Sequence, residues 1–209
     1  TWCFWNCTTQ FLATITMALS ERHMMPSETL YNQGDAASEL LWCVNGTLHI
    51  TKNGAHVATI RSDLGAGQIV GEVGFFLGIA HPHTTVASNK GEVTLIVLLT
   101  ADFEDIATSF PEQTEQIMAN VLRKYGLDKR GNDIASGGAT DQMDEDELKE
   151  FEELREVVRT AIRERNEDAF LRVITAVGEG DLETLRTLTA RGFDLSSSSY
   201  DQRTALHLA

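Results

Sequence analysis

Between residues 29 and 99, short apolar stretches alternate closely with glycine-containing breaks, and this spacing limits the folds that the chain can adopt. Two of the breaks are the pairs Asn45-Gly46 and Asn53-Gly54. Asn-Gly favours the type I′ turn of a hairpin, because that turn needs a positive φ at two successive residues. Short strands at this spacing predict a compact antiparallel β-structure. The apolar stretches are 29–31, 40–44, 47–50, 57–60, 69–70, 84–87 and 93–99.

Helical patterns flank the predicted strands. Apolar residues within 8–22 fall on one face of a helix, for which Thr8 is the predicted N-cap and Pro26 the stop signal. After the strands, the pattern changes period, and 101–110 and 111–125 each predict a helix. We therefore predict an α+β fold class, an antiparallel β-roll of jelly-roll-like form with flanking helices.

The next part of the chain is polar and then strongly charged. Residues 126–142 are rich in Gly, Asp, Ser and Thr, which predicts a flexible linker. Within 143–165 apolar residues recur every three or four positions, which predicts an amphipathic helix. Because 144–147 is entirely acidic, a solvated charge run without fixed structure remains an alternative. The apolar stripe consists of Leu148, Phe151, Leu154, Val158 and Ile162.

Composition and missing motifs exclude several functions. The formal net charge of -14 disfavours nucleic acid or an anionic membrane surface as a partner, because both are bound through Lys and Arg. Cys3, Cys7 and Cys43 have no second Cys/His pair to complete a zinc site, so no metal site is predicted. No nucleophile elbow, P-loop or kinase signature occurs, so we predict no catalytic residue and no enzyme.

The segment Gly71-Glu72-Val73 carries the clearest signal of a ligand site. A glycine before a turn lets backbone amides approach a ligand closely, and amides at the start of a helix attract anions. With Gln33-Gly34-Asp35, the hairpin and two closing helices, it resembles the cyclic-nucleotide-binding domain over about residues 8–126. The resemblance implies that Gly71, Glu72 and Val73 hold the ribose and phosphate, and that Thr84 and Thr85 line the same pocket.

One departure from this family concerns the phosphate. Members that bind cyclic nucleotides pair it with an arginine, whereas this sequence has no arginine between Arg61 and Arg123. His81-Pro82-His83 occupies that place, and a one-residue insertion leaves open which of the three replaces the arginine. Losing one charge-assisted bond of about 1.5 to 3 kcal/mol lowers affinity roughly 10- to 150-fold. We expect a pocket wall without a permanent cation and no bound cofactor. Retained binding of cyclic AMP or cyclic GMP, with His83 in the wall, is the alternative.

Three further readings accompany this motif. The two histidines of 81–83 are expected in an exposed loop. Glu72 could instead cap the short turn that it begins. In some channel relatives without the arginine, residues after the last helix insert into the pocket, and Tyr125-Gly126-Leu127 stands at that place.

The C-terminal part shows a second pattern. Two helical pieces are separated by Gly180-Asp181, and Ala176 and Ala209 lie one ankyrin period of 33 residues apart. This part resembles an ankyrin repeat followed by the start of another, although that family expects Gly at Gln202 and Pro at Ala205. The resemblance implies an all-α ankyrin-repeat segment in which further repeats follow.

These patterns together predict the domain organisation. Residues 1–126 form the cyclic-nucleotide-binding-type domain, 127–147 an acidic linker, 148–165 an amphipathic helix and 166–209 the start of an ankyrin-repeat domain. This order resembles the cytoplasmic tail of plant-type voltage-gated potassium channels. The resemblance implies a regulatory region that couples the tail to the gate of a channel.

The resemblance also implies the partners and the location. Other subunits of the same channel, as a tetramer, and proteins bound by the ankyrin repeats would be the partners, with no nucleic acid among them. The region would lie on the cytoplasmic side of a membrane and be attached to it only through an upstream segment. A soluble cyclic-nucleotide sensor and an ankyrin scaffold are the alternative functions.

Overall fold

The computed structural model describes residues 1–62, 68–134, 145–190 and 204. The strands are β1 (Ser20–Met24), β2 (Thr29–Tyr31), β3 (Glu39–Asn45), β4 (Thr47–Lys52), β5 (Ala55–Arg61), β6 (Gln68–Val70), β7 (Thr84–Ala87) and β8 (Val93–Leu99). The helices are α1 (Thr9–Met17), α2 (Glu72–Leu77), α3 (Thr100–Ser109), α4 (Pro111–Lys124), α5 (Glu145–Glu179) and α6 (Leu182–Ala190). A 3-10 turn, Trp2–Phe4, precedes α1. The predicted β-roll with flanking helices is confirmed.

The strands form two antiparallel sheets, in the orders β1-β8-β3-β6 and β2-β7-β4-β5. Strand β3 is buried on both faces because it lies between two apolar layers. Leu41 and Cys43 belong to a core with Leu48 of the other sheet, whereas Leu40 and Trp42 belong to a core with the helices. A strand covered on both sides needs a continuous apolar run, which explains why 40–44 lacks a clear alternation.

The two Asn-Gly pairs have different roles. Asn53 and Gly54 have φ values of 50° and 81° and connect β4 to β5, so the predicted hairpin turn is confirmed there. The hairpin predicted at Asn45-Gly46 is wrong, because β3 and β4 belong to different sheets. Gly46 has a φ of 93°, and a Cβ added to it would lie 2.7 Å from the carbonyl oxygen of Glu92. It therefore allows the chain to pass closely over the start of β8.

The first helix is shorter than the sequence predicts. Thr8 caps it as expected, by accepting a hydrogen bond from the N–H of Phe11, but α1 ends at Met17 rather than at residue 22. Residues Ser20–Met24 form the edge strand β1, which pairs with β8. Only Met24 of this strand is buried, so its polar sequence shows no alternation that would mark a strand. The pairing with β8 overrides the local helical pattern.

The segment after α4 begins with ordered structure rather than a flexible linker. Leu127 is 1% exposed, and Leu127 and Asp133 form an antiparallel bridge. Of the predicted acidic linker 127–147, residues 135–144 lie outside the described residues, and 145–147 belong to α5. Backbone bonds from Gly131 to Asp128 and from Ile134 to Gly126 fold this segment on itself, and Leu127 packs into the core that contains the helices. The linker prediction is therefore wrong for 126–134.

The predicted amphipathic helix is present and extends further along the chain. Phe151, Leu154, Val158 and Ile162 pack against the core that contains the helices, whereas Leu148 is 38% exposed. The helix α5 continues without a break to Glu179, and α6 packs back on it through Val173 and Leu188. The segments 191–203 and 205–209, which carry the second half of the ankyrin pattern, lie outside the described residues.

The two left-handed glycines Gly46 and Gly54 give a matched test of this fold. We expect Gly46→Ala to lower the free energy of unfolding by about 3 kcal/mol, because backbone strain adds to an overlap with the chain before β8. Gly54→Ala should lower it by only about 1 kcal/mol, since the added methyl group meets nothing within 4 Å. Urea unfolding followed by tryptophan fluorescence measures both variants, and equal losses would contradict the close approach at Gly46.

Candidate functional site

A cavity of about 270 Å³ lies between the β-roll and the C-terminal helices. Its apolar side comes from β4, β5 and β6, through residues such as Ile50, Ile60 and Ile69. Its polar side comes from the start of α2, the 81–83 segment and the helices α4 and α5. One wall is thus built by the β-roll, and the opposite wall by residues that follow it in the chain.

The predicted site residues Gly71, Glu72 and Val73 line the cavity from the β-roll side. Gly71 has a φ of 82° and stands at the N-cap of α2, which Glu72 begins. A Cβ added to Gly71 would lie 3.3 Å from Cε1 of His81, so the glycine permits close packing of the turn against that ring. The carboxylate of Glu72 is in the first turn of α2, where the helix dipole favours a negative charge.

The carboxylate of Glu72 is occupied by side chains from the end of α4. Lys124 Nζ donates to Glu72 Oε1 at 2.6 Å, and the hydroxyl of Tyr125 donates to the same oxygen at 3.3 Å. Tyr125 is 1% exposed, and burial, followed by the charge of Glu72, raises its pKa. The wall therefore contains a permanent cation, contrary to the sequence-based expectation. That cation, Lys124, is paired with Glu72.

His81 is buried, so its predicted position in an exposed loop is wrong. Its side chain is stacked on Tyr31 with the ring centroids 3.6 Å apart. Backbone bonds hold it in place: His81 donates to the carbonyl of Asp35 and accepts from the N–H of Gly34. Burial lowers the pKa of His81, and the carboxylates of Asp35 and Glu39 only partly oppose this effect. His81 is consequently neutral in the folded protein near pH 7.

His83 also points inward rather than into solvent. It is in the cavity wall, its side chain is 14% exposed, and Nε2 lies 2.6 Å from Glu150 Oε1 of α5. Thr84 and Thr85 follow on β7 and are not among the residues that line the cavity. Thr84 Oγ1 accepts a hydrogen bond from the N–H of Gln33 at 2.8 Å, and Thr85 is fully buried.

The structure thus brings together four of the six predicted site residues and adds partners that the sequence did not indicate. Lys124 and Glu150 both line the cavity, and each contacts one of the predicted residues. Lys52 contacts Glu150 from outside the wall. Lys52 and Glu150 are 98 positions apart, and no local pattern marks such a pair. Within the described ranges, no group of three or more metal-ligating side chains occurs.

Comparison with known proteins agrees with this architecture. Residues 21–110 match the family model of the cyclic nucleotide-binding domain. The crystal structure of the N-terminal domain of a transcriptional regulator from Streptomyces coelicolor A3(2) superposes with a TM-score of 0.51. Its sequence is 20% identical, and the match covers 59% of this chain and 88% of that one, so the likeness concerns the fold alone.

The sequence is also similar to potassium channels of plants. It is 28% identical to potassium channel KOR2 of Oryza sativa subsp. japonica over 99% of this chain and 26% of the relative. It is 26% identical to potassium channel GORK of Arabidopsis thaliana over 99% of this chain and 23% of the relative. Residues 21–110 are therefore similar to the cyclic nucleotide-binding domain, and the chain spans about a quarter of the length of these relatives. Among its described helices, none has the length and apolarity to cross a bilayer.

The burial of neutral His81 predicts a pH dependence of stability. Because its pKa is lowered in the folded state, its contribution is complete above the ordinary value of 6.5 and is lost as the pH falls through the lowered value. We expect the free energy of unfolding of the wild-type chain to fall between pH 7.5 and 5.5. The fall should be smaller in His81→Gln, which cannot be protonated in this range.

The control for this measurement is His23→Gln, because the side chain of His23 is 65% exposed on β1. This variant should follow the wild-type profile in urea unfolding at each pH. A profile for His81→Gln that runs parallel to the wild type would show that His81 is not the group responsible.

Proposed function

We propose that this chain is the cytoplasmic regulatory region of a voltage-gated potassium channel subunit, in which the β-roll transmits movement without binding a cyclic nucleotide. The observation that carries the proposal is the pairing of Glu72 with Lys124 and Tyr125. The residue that would hold the ribose is thereby bound to the end of α4. Similarity to plant potassium channels along 99% of the chain supports the assignment to a channel.

The N-terminal segment is attached to the same helix. Asn120 Nδ2 of α4 donates to the carbonyl oxygens of Cys3 at 3.0 Å and Trp5 at 2.9 Å. Lys124 Nζ also lies 4.6 Å above the ring centroid of Trp2, in a cation–π contact. In a channel of this kind, the N-terminal segment would lead to the pore. Lys124 thus connects the pocket residue Glu72 to the segment through which movement would reach the gate.

The chemistry of the cavity disfavours a cyclic nucleotide. Among its described wall residues there is no arginine, and the ammonium of Lys124 is engaged by Glu72. The ribose of a nucleotide would have to compete for the carboxylate with this pair and with the bond from Tyr125, both of which are made to Oε1. Breaking charge-assisted bonds that are partly buried costs free energy that the ligand contacts must first replace.

The remaining parts of the proposal concern assembly. By similarity to channel subunits, the chain would assemble with other subunits, as a tetramer, on the cytoplasmic side of the membrane. Residues 166–209 would begin an ankyrin-repeat domain that recruits protein partners, and the helix pair α5 and α6 supports a helical start to it. No catalytic step enters this function.

Calorimetry with cyclic AMP and cyclic GMP tests the proposal that the pocket binds no cyclic nucleotide. We expect no saturable heat from the 209-residue chain at nucleotide concentrations below about 50 μM, since loss of the phosphate-pairing arginine lowers affinity roughly 10- to 150-fold. The double variant with Tyr125→Phe and Lys124→Met, in which Glu72 has lost both of these partners, is titrated in the same way for comparison. Saturable binding to the wild-type chain would favour the alternative function, a cyclic-nucleotide sensor.

The coding sequence of the parent gene tests the assignment to a channel. About 400 residues upstream of Thr1 should include six apolar spans, a basic fourth span and a selectivity-filter sequence related to Thr-x-Gly-Tyr-Gly. A start codon close to Thr1, with no such spans, would contradict the channel function and leave the soluble sensor or the ankyrin scaffold.

A further inference from the structure

Two basic side chains converge at one edge of the cavity. Thr51 of β4 pairs with Thr84 of β7, so Lys52 at the end of β4 and His83 just before β7 come next in register. Glu150 of α5 lies between them: its Oε1 is 3.2 Å from Lys52 Nζ and 2.6 Å from His83 Nε2. A carboxylate from a distant part of the chain therefore fills a site formed by the β-roll.

The side chains of Lys52, Glu150 and His83 are largely buried, so water screens the attraction between them less than at the surface. Side-chain exposure is 23% for Lys52, 22% for Glu150 and 14% for His83. Burial by itself would lower the pKa of Lys52, but hydrogen bonds to Glu153 and Glu150 outweigh it and raise that pKa. Lys52 is thus a fixed cation whose partners are both carboxylates of α5.

The rest of α5 holds the carboxylate in this place. Phe151 is stacked on Tyr125 with the ring centroids 5.8 Å apart, and Leu154 lies in the cavity wall beside Glu150. Further along, Arg155 and Arg159 both bind Asp133 of the segment that follows α4. Apolar packing therefore sets the position of the helix, and the two basic groups bind the carboxylate that it presents.

We propose that Lys52 and His83 form an anion-binding site at the edge of the cavity, and that its ligand is the carboxylate of Glu150 from the chain's own helix α5. An incoming phosphate or carboxylate has to compete with Glu150 for either group, and at Lys52 also with Glu153, whose Oε2 is 2.7 Å from Nζ. Because α5 is one helix of 35 residues, on the order of 50 Å long, a displacement at its first turns is carried towards α6. The contact of Glu150 with Lys52 and His83 does not depend on the proposed channel function. Only the role of the displacement carried towards α6 rests on that function.

Amide hydrogen exchange of the 209-residue chain measures whether the site holds the start of α5. We expect Glu150→Gln and Lys52→Gln each to accelerate exchange in peptides covering 145–154 by roughly two- to fivefold, the range for a partly exposed ion pair. The double variant should show less than the product of the two single effects, because both substitutions remove the Lys52–Glu150 pair. Exchange in β8 serves as an internal reference for an intact fold.

The matched control is Glu164→Gln, the same chemical change at an exposed position of the same helix. It should leave exchange in 145–154 at the wild-type rate. Unchanged exchange in both Glu150→Gln and Lys52→Gln would overturn the proposal, and so would effects that multiply fully in the double variant. Because no nucleotide is used in this test, its result is independent of the calorimetry that tests whether the pocket binds a cyclic nucleotide.

Discussion

The ion pair between Glu72 and Lys124 joins three parts of the molecule. Glu72 belongs to the turn after β6, Lys124 ends α4, and the ammonium of Lys124 also lies above Trp2 of the N-terminal segment. The carboxylate is 13% exposed, and the hydroxyl of the buried Tyr125 donates to it as well. Because a partly buried carboxylate needs such partners, the end of α4 and the pocket turn are fixed relative to each other. The state of the pocket and the position of the N-terminal segment are therefore linked through one side chain.

The cavity is closed by the chain that follows the β-roll. Strands and α2 build one wall, and the other consists of Lys124, Tyr125, Glu150 and Leu154. The two carboxylates that line the cavity, Glu72 in the first wall and Glu150 in the second, are each paired with a basic side chain of the opposite part. This arrangement satisfies the buried charges without a bound anion. It also makes the cavity a contact between the β-roll and the C-terminal helices, which suits a domain that passes movement along a chain.

The sequence predicts those features that depend on neighbouring residues and misses those that depend on distant contacts. Glycine breaks and apolar runs were sufficient to predict the β-roll, and the spacing from Phe151 to Ile162 predicted the face of α5. The edge strand β1 was missed because its polar side chains face solvent, and Gly46 was assigned to a hairpin because sequence cannot show that β3 and β4 belong to different sheets. The occupied state of Glu72 and the pairing of Lys52 with Glu150 arise only when α4 and α5 fold back over the pocket.

A crystal structure of this chain grown with millimolar cyclic AMP tests most directly whether the protein fills its own pocket. The account predicts Glu72 bonded to Lys124 and Tyr125, Glu150 seated between Lys52 and His83, and no nucleotide in the cavity. A cyclic phosphate bound against 71–73, with the ribose on the carboxylate of Glu72 and α5 moved away, would contradict it.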